Sequence, residues 1–173
     1  NDLIYKTSIK NISLKKTVKK TFSKSFDNIA KKILKGLNEK KNIYNILSSK
    51  YKFNFRLRDL DKFKKFKNIA IIGMGGSILG SEAIRYFLRE KLKKNIYFFD
   101  DIDENKIIKF KKKKEFKKIL YIVISKSGNT IETVSNFLYL DVLKKNAKNI
   151  IIISEKKNNF LYNLTKKYNF HYV

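Results

Sequence analysis

Residues 119–133, Ile-Leu-Tyr-Ile-Val-Ile-Ser-Lys-Ser-Gly-Asn-Thr-Ile-Glu-Thr, constrain the fold more than any other stretch of the chain. The unbroken apolar run Ile119–Ile124 has the composition of a strand buried on both faces, as parallel sheets require. It gives way at once to Ser125-Lys126-Ser127-Gly128-Asn129-Thr130, after which apolar residues return at helical spacing as Ile131, Val134, Leu138 and Val142. A strand that feeds a helix through a hydroxyl-rich loop gathers unpaired backbone N–H groups, the positive end of the helix dipole and side-chain donors at one point. The object that fits there is an anion, a phosphate above all.

The same alternation extends from Asn68 to the last residue. A short strand, Ile69–Ile72, runs into Gly73-Met74-Gly75-Gly76-Ser77, and a helix follows with Ile84, Leu88 and Leu92 on one face and Arg85, Arg89 and Lys93 on another. Next come a strand over Asn95–Phe99 ending in Asp100-Asp101, a lysine-rich helix over Glu104–Lys114, and the central strand. A helix to about Lys145, a strand over Asn149–Ile153, a helix over Phe160–Tyr168 and a last strand over Phe170–Val173 complete the pattern. Five strands alternating with helices predict an α/β fold, a three-layer αβα domain around an open five-stranded parallel sheet. Ligands of such sheets bind beyond the carboxyl ends of the strands, the edge that carries both loops.

The glycine-rich loop does not match the two commonest phosphate fingerprints. G-x-G-x-x-G would need glycine where Ile78 stands, and no Gly-Lys-Ser/Thr follows as a P-loop demands. What remains is a turn through Gly73, Gly75 and Gly76, then Ser77 at a helix start and Gly80. Taken alone this is a tight turn with Ser77 as an N-cap; set beside Ser125–Thr130 on a neighbouring strand end, it forms one wall of a shared crevice.

Upstream, residues 1–13 read as an extended arm. Val18, Phe22, Phe26, Ile29, Ile33 and Leu37 mark an amphipathic helix over Leu14–Leu37 with Gly36 as its stop. A short helix holds Ile43, Ile46 and Leu47, and Tyr51–Lys67 is a connection with Leu60, Phe63 and Phe66 at helical spacing. The expected division is 1–67, an arm and helices packing on the main domain, and 68–173, the ligand-binding domain.

A chain of 173 residues with 43% apolar residues suffices for one domain with a helical extension. No apolar run approaches the roughly 18–20 residues of a membrane span, and no segment resembles a signal peptide. A soluble cytoplasmic protein is the expectation. The chain starts at Asn1, as a fragment would. Without cysteine there are no disulfides, thiolate metal sites or cysteine nucleophiles, and no metal or redox cofactor is expected. The net charge of +26 invites a nucleic-acid partner, but the basic residues are nearly all lysine, spread along the chain, with arginine only at 56, 58, 85 and 89. Specific recognition favours arginine's planar fork, so a solvated lysine surface is the better reading.

The two loops together carry a family resemblance. Ile71-Ile72-Gly73-Met74-Gly75-Gly76-Ser77-Ile78-Leu79-Gly80 resembles the glycine-rich segment of phosphoglucose isomerases, and Ser125-Lys126-Ser127-Gly128-Asn129-Thr130-Ile131-Glu132-Thr133 resembles their phosphate loop. Their order and separation are those of a sugar isomerase (SIS) domain over 68–173; the N-terminal helices match only in outline. The resemblance implies that Ser77, Ser125, Lys126, Ser127 and Thr130 hold the phosphate of a six-carbon sugar phosphate, glucose 6-phosphate or fructose 6-phosphate, and that Gly75 and Gly76 line the sugar. Glu132 stands where the family has a glutamate near the site. Ser81 departs from the family, where proline is common.

The residues themselves support part of this directly. Ser125, Ser127 and Thr130 each offer a hydroxyl to a phosphate oxygen, and Gly128 lets the backbone bend where a side chain would intrude. Lys126 offers its N–H, its charge, both, or is one more surface lysine. Glu132 beside a phosphate would be repelled, which points to orienting the loop or bonding an N-terminal N–H, with sugar hydroxyls as a further partner. His171, the only histidine, reads as structural.

Aldose–ketose isomerisation needs a base, a ring-opening acid and a cation for the enediolate. The resemblance places these on a glutamate, a histidine, a lysine and an arginine later than the matched portion. The expectation is therefore the phosphate-binding half of such an isomerase, with no catalytic residue of its own and a second SIS domain outside this chain. An apolar helix face left bare by that half would leave a homodimer open. The competing readings are a stand-alone SIS sensor of sugar phosphates and a basic nucleic-acid-binding protein.

Overall fold

The computed structural model describes residues 16–39, 42–53, 55–112 and 118–173, with backbone alone for 16–22. The arm expected over residues 1–13, Leu14, and Lys113 and Lys114 of the expected lysine-rich helix lie outside the described residues, as do the side chains of Val18 and Phe22. The chain divides into two compact units, 1–53 and 54–173.

In the first unit, helix α1 spans Lys16–Leu37. It passes through Gly36 rather than stopping there: a Cβ on Gly36 would lie 2.9 Å from the Asn42 side chain, so the glycine serves a close approach. A 3₁₀ turn over Ile43–Leu47 follows, capped by Asn42, whose side chain accepts from Tyr44 N–H at 3.1 Å. Asn45 Nδ2 donates to the Leu37 carbonyl at 2.7 Å and ties the turn to the helix end.

The second unit is a five-stranded, wholly parallel sheet in the order β2-β1-β3-β4-β5. The strands are β1 Asn68–Gly73, β2 Asn95–Phe99, β3 Ile119–Ile124, β4 Ile150–Ile153 and β5 His171–Tyr172. Between them run α2 Gly76–Phe87, α3 Glu104–Lys111, α4 Ile131–Tyr139 and α5 Phe160–Tyr168. Strand alternation sorts the apolar residues onto two faces. Ala70, Ile72, Tyr121, Val123, Ile150 and Ile152 meet Ile107 and Phe110 of α3, Phe137 of α4, and Leu161 and Leu164 of α5. The opposite-facing Leu120 and Ile151 pack with Phe63, which ends a 3₁₀ turn over Leu57–Phe63, and with the partly buried Ile69 and Ile122.

Three helices end earlier than the periodicity predicts, α3 at Lys111 with Lys112 as its C-cap. α2 stops at Phe87, so Leu92 and Lys93 fall outside it, and of its side chains only Ile78 is buried while Ile84 and Phe87 are exposed. α4 stops at Tyr139 rather than near Lys145, because Asp141 adopts a left-handed conformation (φ 54°) that a helix cannot continue through. The expected stripe of α4 holds only in part: Val134 and Val142 pack half-buried against the core, whereas Ile131 and Leu138 are exposed. Ile131 is 75% exposed, and the face turned inward is Thr133, Asn136, Phe137 and Leu140. Asn136 tolerates burial because its Nδ2 donates to the Asp101 carbonyl at 2.8 Å. Among the described residues no helix is long and apolar enough to cross a membrane.

Candidate functional site

The strand order puts the two loops side by side. The chain steps from β1 outward to β2 and then back across to β3, so β1 and β3 are neighbours at the point where the winding reverses, the position at which open α/β sheets bind ligands. Their pairing ends with Gly73 opposite Ile124, one residue before Ser125. The approach there is close: a Cβ on Gly73 would meet the Ile124 carbonyl oxygen at 3.0 Å and the Ser77 Cβ at 3.4 Å. Ser77 and Ser125 are thereby carried to the same short stretch of sheet edge.

Ser77 is not the N-cap of α2. That position belongs to Gly75, at φ 51°, ψ −124°, with no side-chain cap bond, and Ser77 lies inside the first turn, its N–H bonded to the Met74 carbonyl. The left-handed φ is what a glycine supplies there. Gly75 and Gly76 are both exposed, and a Cβ on either would meet nothing within 4 Å, so no protein atom demands their bareness; it opens backbone to whatever occupies the crevice.

In the second loop three hydroxyls converge. Ser125 Oγ lies 2.8 Å from Thr130 Oγ1 and 3.5 Å from Ser127 Oγ, and Ser127 Oγ lies 3.4 Å from Thr130 Oγ1. Two backbone donors reinforce the triangle, Gly128 N–H to Ser125 Oγ at 3.1 Å and Asn129 N–H to Ser127 Oγ at 3.2 Å. Ser125 is buried, whereas Ser127 and Lys126 are exposed, so the loop has a fixed base and an accessible rim. Thr130 is the N-cap residue of α4 but makes no side-chain bond to its first turn. Its hydroxyl goes to Ser125, which leaves the N-terminal N–H groups and the helix dipole to a ligand. Glu132 sits half-buried in that first turn, where the dipole favours a carboxylate.

Sequence reasoning missed what holds this loop in place. Asn159, 5% exposed, caps α5 by accepting from Tyr162 N–H at 2.9 Å and donates through Nδ2 to the Glu155 carbonyl at 2.8 Å. Gly128 lies against it with φ 68°, and its carbonyl accepts from Leu161 N–H at 3.1 Å. Asn129 completes the clamp, its Oδ1 accepting from Phe160 N–H at 2.8 Å. The serine loop is thus bolted to the start of α5. An asparagine just before an apolar helix is a legible cap signal; its second role against Gly128 is not.

Beside the crevice, at the end of β2, Lys106 Nζ bridges Asp100 at 2.8 Å and Asp101 at 3.0 Å. The Lys106 hydrogen bond holds the Asp100 carboxyl below its ordinary range. A depressed carboxylate contributes stability above the unfolded-chain range and loses it as pH falls through the folded value. Lys106→Met is expected to lower stability at pH 7 by less than about 1 kcal/mol, since the pair is partly solvated. In urea unfolding the gap to the parent chain should close as Asp100 protonates. His171 lies away from both loops, on β5, with its Nδ1 3.3 Å from Lys62 Nζ and its ring 5.1 Å from that of Phe63. Burial, then Lys62, pushes its pKa down.

The sheet, its order and the two loops at the reversal define an α/β domain of the sugar isomerase type. The comparisons agree. The model of the phosphoglucose isomerase family matches residues 9–166. Glucose-6-phosphate isomerase of Methanocaldococcus jannaschii is 43% identical over 82 residues, 46% of this chain and 20% of that protein. A Methanococcus maripaludis protein named "Probable glucose-6-phosphate isomerase" is 36% identical over 168 residues, 84% of this chain and 36% of that one. The crystal structure of a glucose-6-phosphate isomerase from Chlamydia trachomatis shares the fold, with a TM-score of 0.53 at 23% identity over 65% of this chain and 23% of that chain. The chain belongs to the phosphoglucose isomerase family, and what it matches is between about a fifth and a third of the length of these relatives.

Proposed function

We propose that this chain is the sugar-phosphate-binding part of a glucose-6-phosphate isomerase, the enzyme that interconverts glucose 6-phosphate and fructose 6-phosphate, with the reaction belonging to the complete enzyme. The observation that carries this reading is the hydroxyl triangle of Ser125, Ser127 and Thr130 at the uncapped start of α4. Three short hydroxyl donors, helix N–H groups and the positive dipole end suit a tetrahedral dianion. Ser77 approaches from the β1 side, Lys126 adds charge at the rim, and Gly75, Gly76 and Glu132 line the sugar. The binding domain is residues 68–173. We further place the protein in the cytoplasm and propose a homodimer, for which the exposed apolar side chains of α2, Ile84 and Phe87, offer a surface.

The test is thermal unfolding of the 173-residue chain titrated with glucose 6-phosphate at physiological salt, with inorganic phosphate and sulfate as controls. A ligand at 100 times its dissociation constant adds about 2.7 kcal/mol of stability. Each hydroxyl bond to a charged phosphate is worth about 1.5–3 kcal/mol, so Ser127→Ala with Thr130→Ala is expected to weaken binding at least about a hundredfold. Equal stabilisation by all three anions, unaffected by the double substitution, would sink the proposal and favour a charge-driven surface.

A further inference from the structure

A second concave surface lies at the opposite edge of the sheet. A cavity of about 680 Å³ is walled by Lys62 and Lys65 ahead of β1, by Lys148 ahead of β4 and by His171 of β5. All the strands are parallel, so these segments share the amino-terminal edge, whereas the serine loop follows the carboxyl end of β3. Its volume is that of a small-molecule site.

Among the described residues no carboxylate lines it. The acids nearby in sequence are already engaged, Asp59 with Arg56 at 3.0 Å and Asp61 with Lys64 at 2.6 Å. Among the described residues neither Lys65 nor Lys148 has an ion-pair partner. The end of α5 would oppose an anion with about half a negative charge, and three ammonium groups outweigh it. The carbonyls of that helix end are moreover paired: Tyr168 O accepts from Asn146 N–H at 2.7 Å and Thr165 O from Phe170 N–H at 3.2 Å.

The wall is also built rather than incidental. Asn146 and Asn169 both hold left-handed conformations, φ 59° and 56°, and are joined by Asn169 Nδ2 donating to Asn146 Oδ1 at 3.0 Å. The Lys62 ammonium at Nδ1 of His171 leaves the ring proton on Nε2, a buried donor with no partner among the described residues. Phe63 and Phe170, each 6% exposed, supply apolar surface at its base.

We propose that this cleft binds a small metabolite carrying two or more phosphoryl groups, at a site separate from the sugar-phosphate loop. Lysine ammoniums are point charges with freely turning donors that suit the tetrahedral oxygens of phosphoryl groups, and three of them match the several negative charges that adjacent phosphoryl groups carry. A low-dielectric concave wall strengthens the field of the cations that line it.

The experiment is calorimetric titration of the 173-residue chain with tripolyphosphate at physiological salt, in the Ser127→Ala, Thr130→Ala background that removes two of the loop's three hydroxyls and so weakens the first site. One ion is expected to bind per chain. Adding Lys65→Ala with Lys148→Ala, both exposed and without an ion-pair partner among the described residues, Lys65 lying only over the Phe66 ring at 5.5 Å, should weaken it at least tenfold. The charge-matched pair Lys109→Ala with Lys112→Ala, at the end of α3, should leave it within twofold. Absence of binding in that background, binding without a fixed stoichiometry, or equal losses from the two lysine pairs would each overturn the proposal.

Discussion

Replacing Gly128 by alanine is expected to destabilise the chain by about 2–5 kcal/mol and to remove with it the sugar-phosphate binding proposed for the loop. Two separate obstacles add. Gly128 holds φ 68°, where a side chain costs about 1–2 kcal/mol. A Cβ there would also fall 1.9 Å from Asn159 Oδ1 and 2.2 Å from its Cγ, distances no pair of atoms sustains. Asn159 would have to swing away, giving up the cap of α5, worth about 0.5–2 kcal/mol, and its bond to the Glu155 carbonyl, worth about 0.5–1.5 kcal/mol. Urea unfolding reads the loss directly. Pairing the substitution with Asn159→Gly clears the overlap and restores most of the cap, because glycine is nearly as good a cap as asparagine, but leaves the backbone cost and the lost bond to the Glu155 carbonyl. About a third of the loss should return. A single variant within 0.5 kcal/mol of the parent chain would mean that the loop does not press on Asn159.

The second large effect lies in the core beneath the same loop. Phe137 is fully buried on α4, packs in the major cluster, and meets the Phe170 ring at a centroid separation of 6.4 Å. Phe137→Ala removes the ring and leaves a cavity, and the expected cost is about 3–5 kcal/mol. Against the roughly 5–15 kcal/mol that holds a domain together, this is a large share. Phe87→Ala, on the 86% exposed Phe87 of α2, should change stability by no more than about 0.5 kcal/mol. Both differences are measurable as shifts in the urea midpoint at constant slope; equal losses at the two positions would contradict the burial of one and the exposure of the other.

These two phenylalanines mark where a sequence stops being legible. Both are apolar residues at helical spacing, and nothing local says which one faces the sheet. Strands β2 and β3 and helix α5 have the bounds that their composition predicts, because apolar runs and turn residues act through neighbours a few positions away. The two loops were legible for the same reason: glycines and hydroxyls concentrated where a strand ends and a helix begins. The face of α4 was not. Ile131 and Leu138 outrank Thr133 and Asn136 in hydrophobicity, yet the structure buries the polar pair, and Asn136 is satisfied by a carbonyl 35 positions earlier in the chain.

What the sequence determined by itself is the alternation of strand and helix, the parallel α/β class, and the two loops that carry the family's likeness. The tertiary structure alone decided that the hydroxyls of Ser125, Ser127 and Thr130 close into one triangle, that Gly75 rather than Ser77 caps α2, and that Asn159 braces Gly128 from 31 positions away. It also decided that lysines scattered through the sequence meet across the amino-terminal edge of the sheet. The physical reason is common to all of these. Periodicity and propensity are properties of adjacent residues, whereas a hydrogen-bond partner or a cavity wall exists only once the sheet has set distant segments side by side.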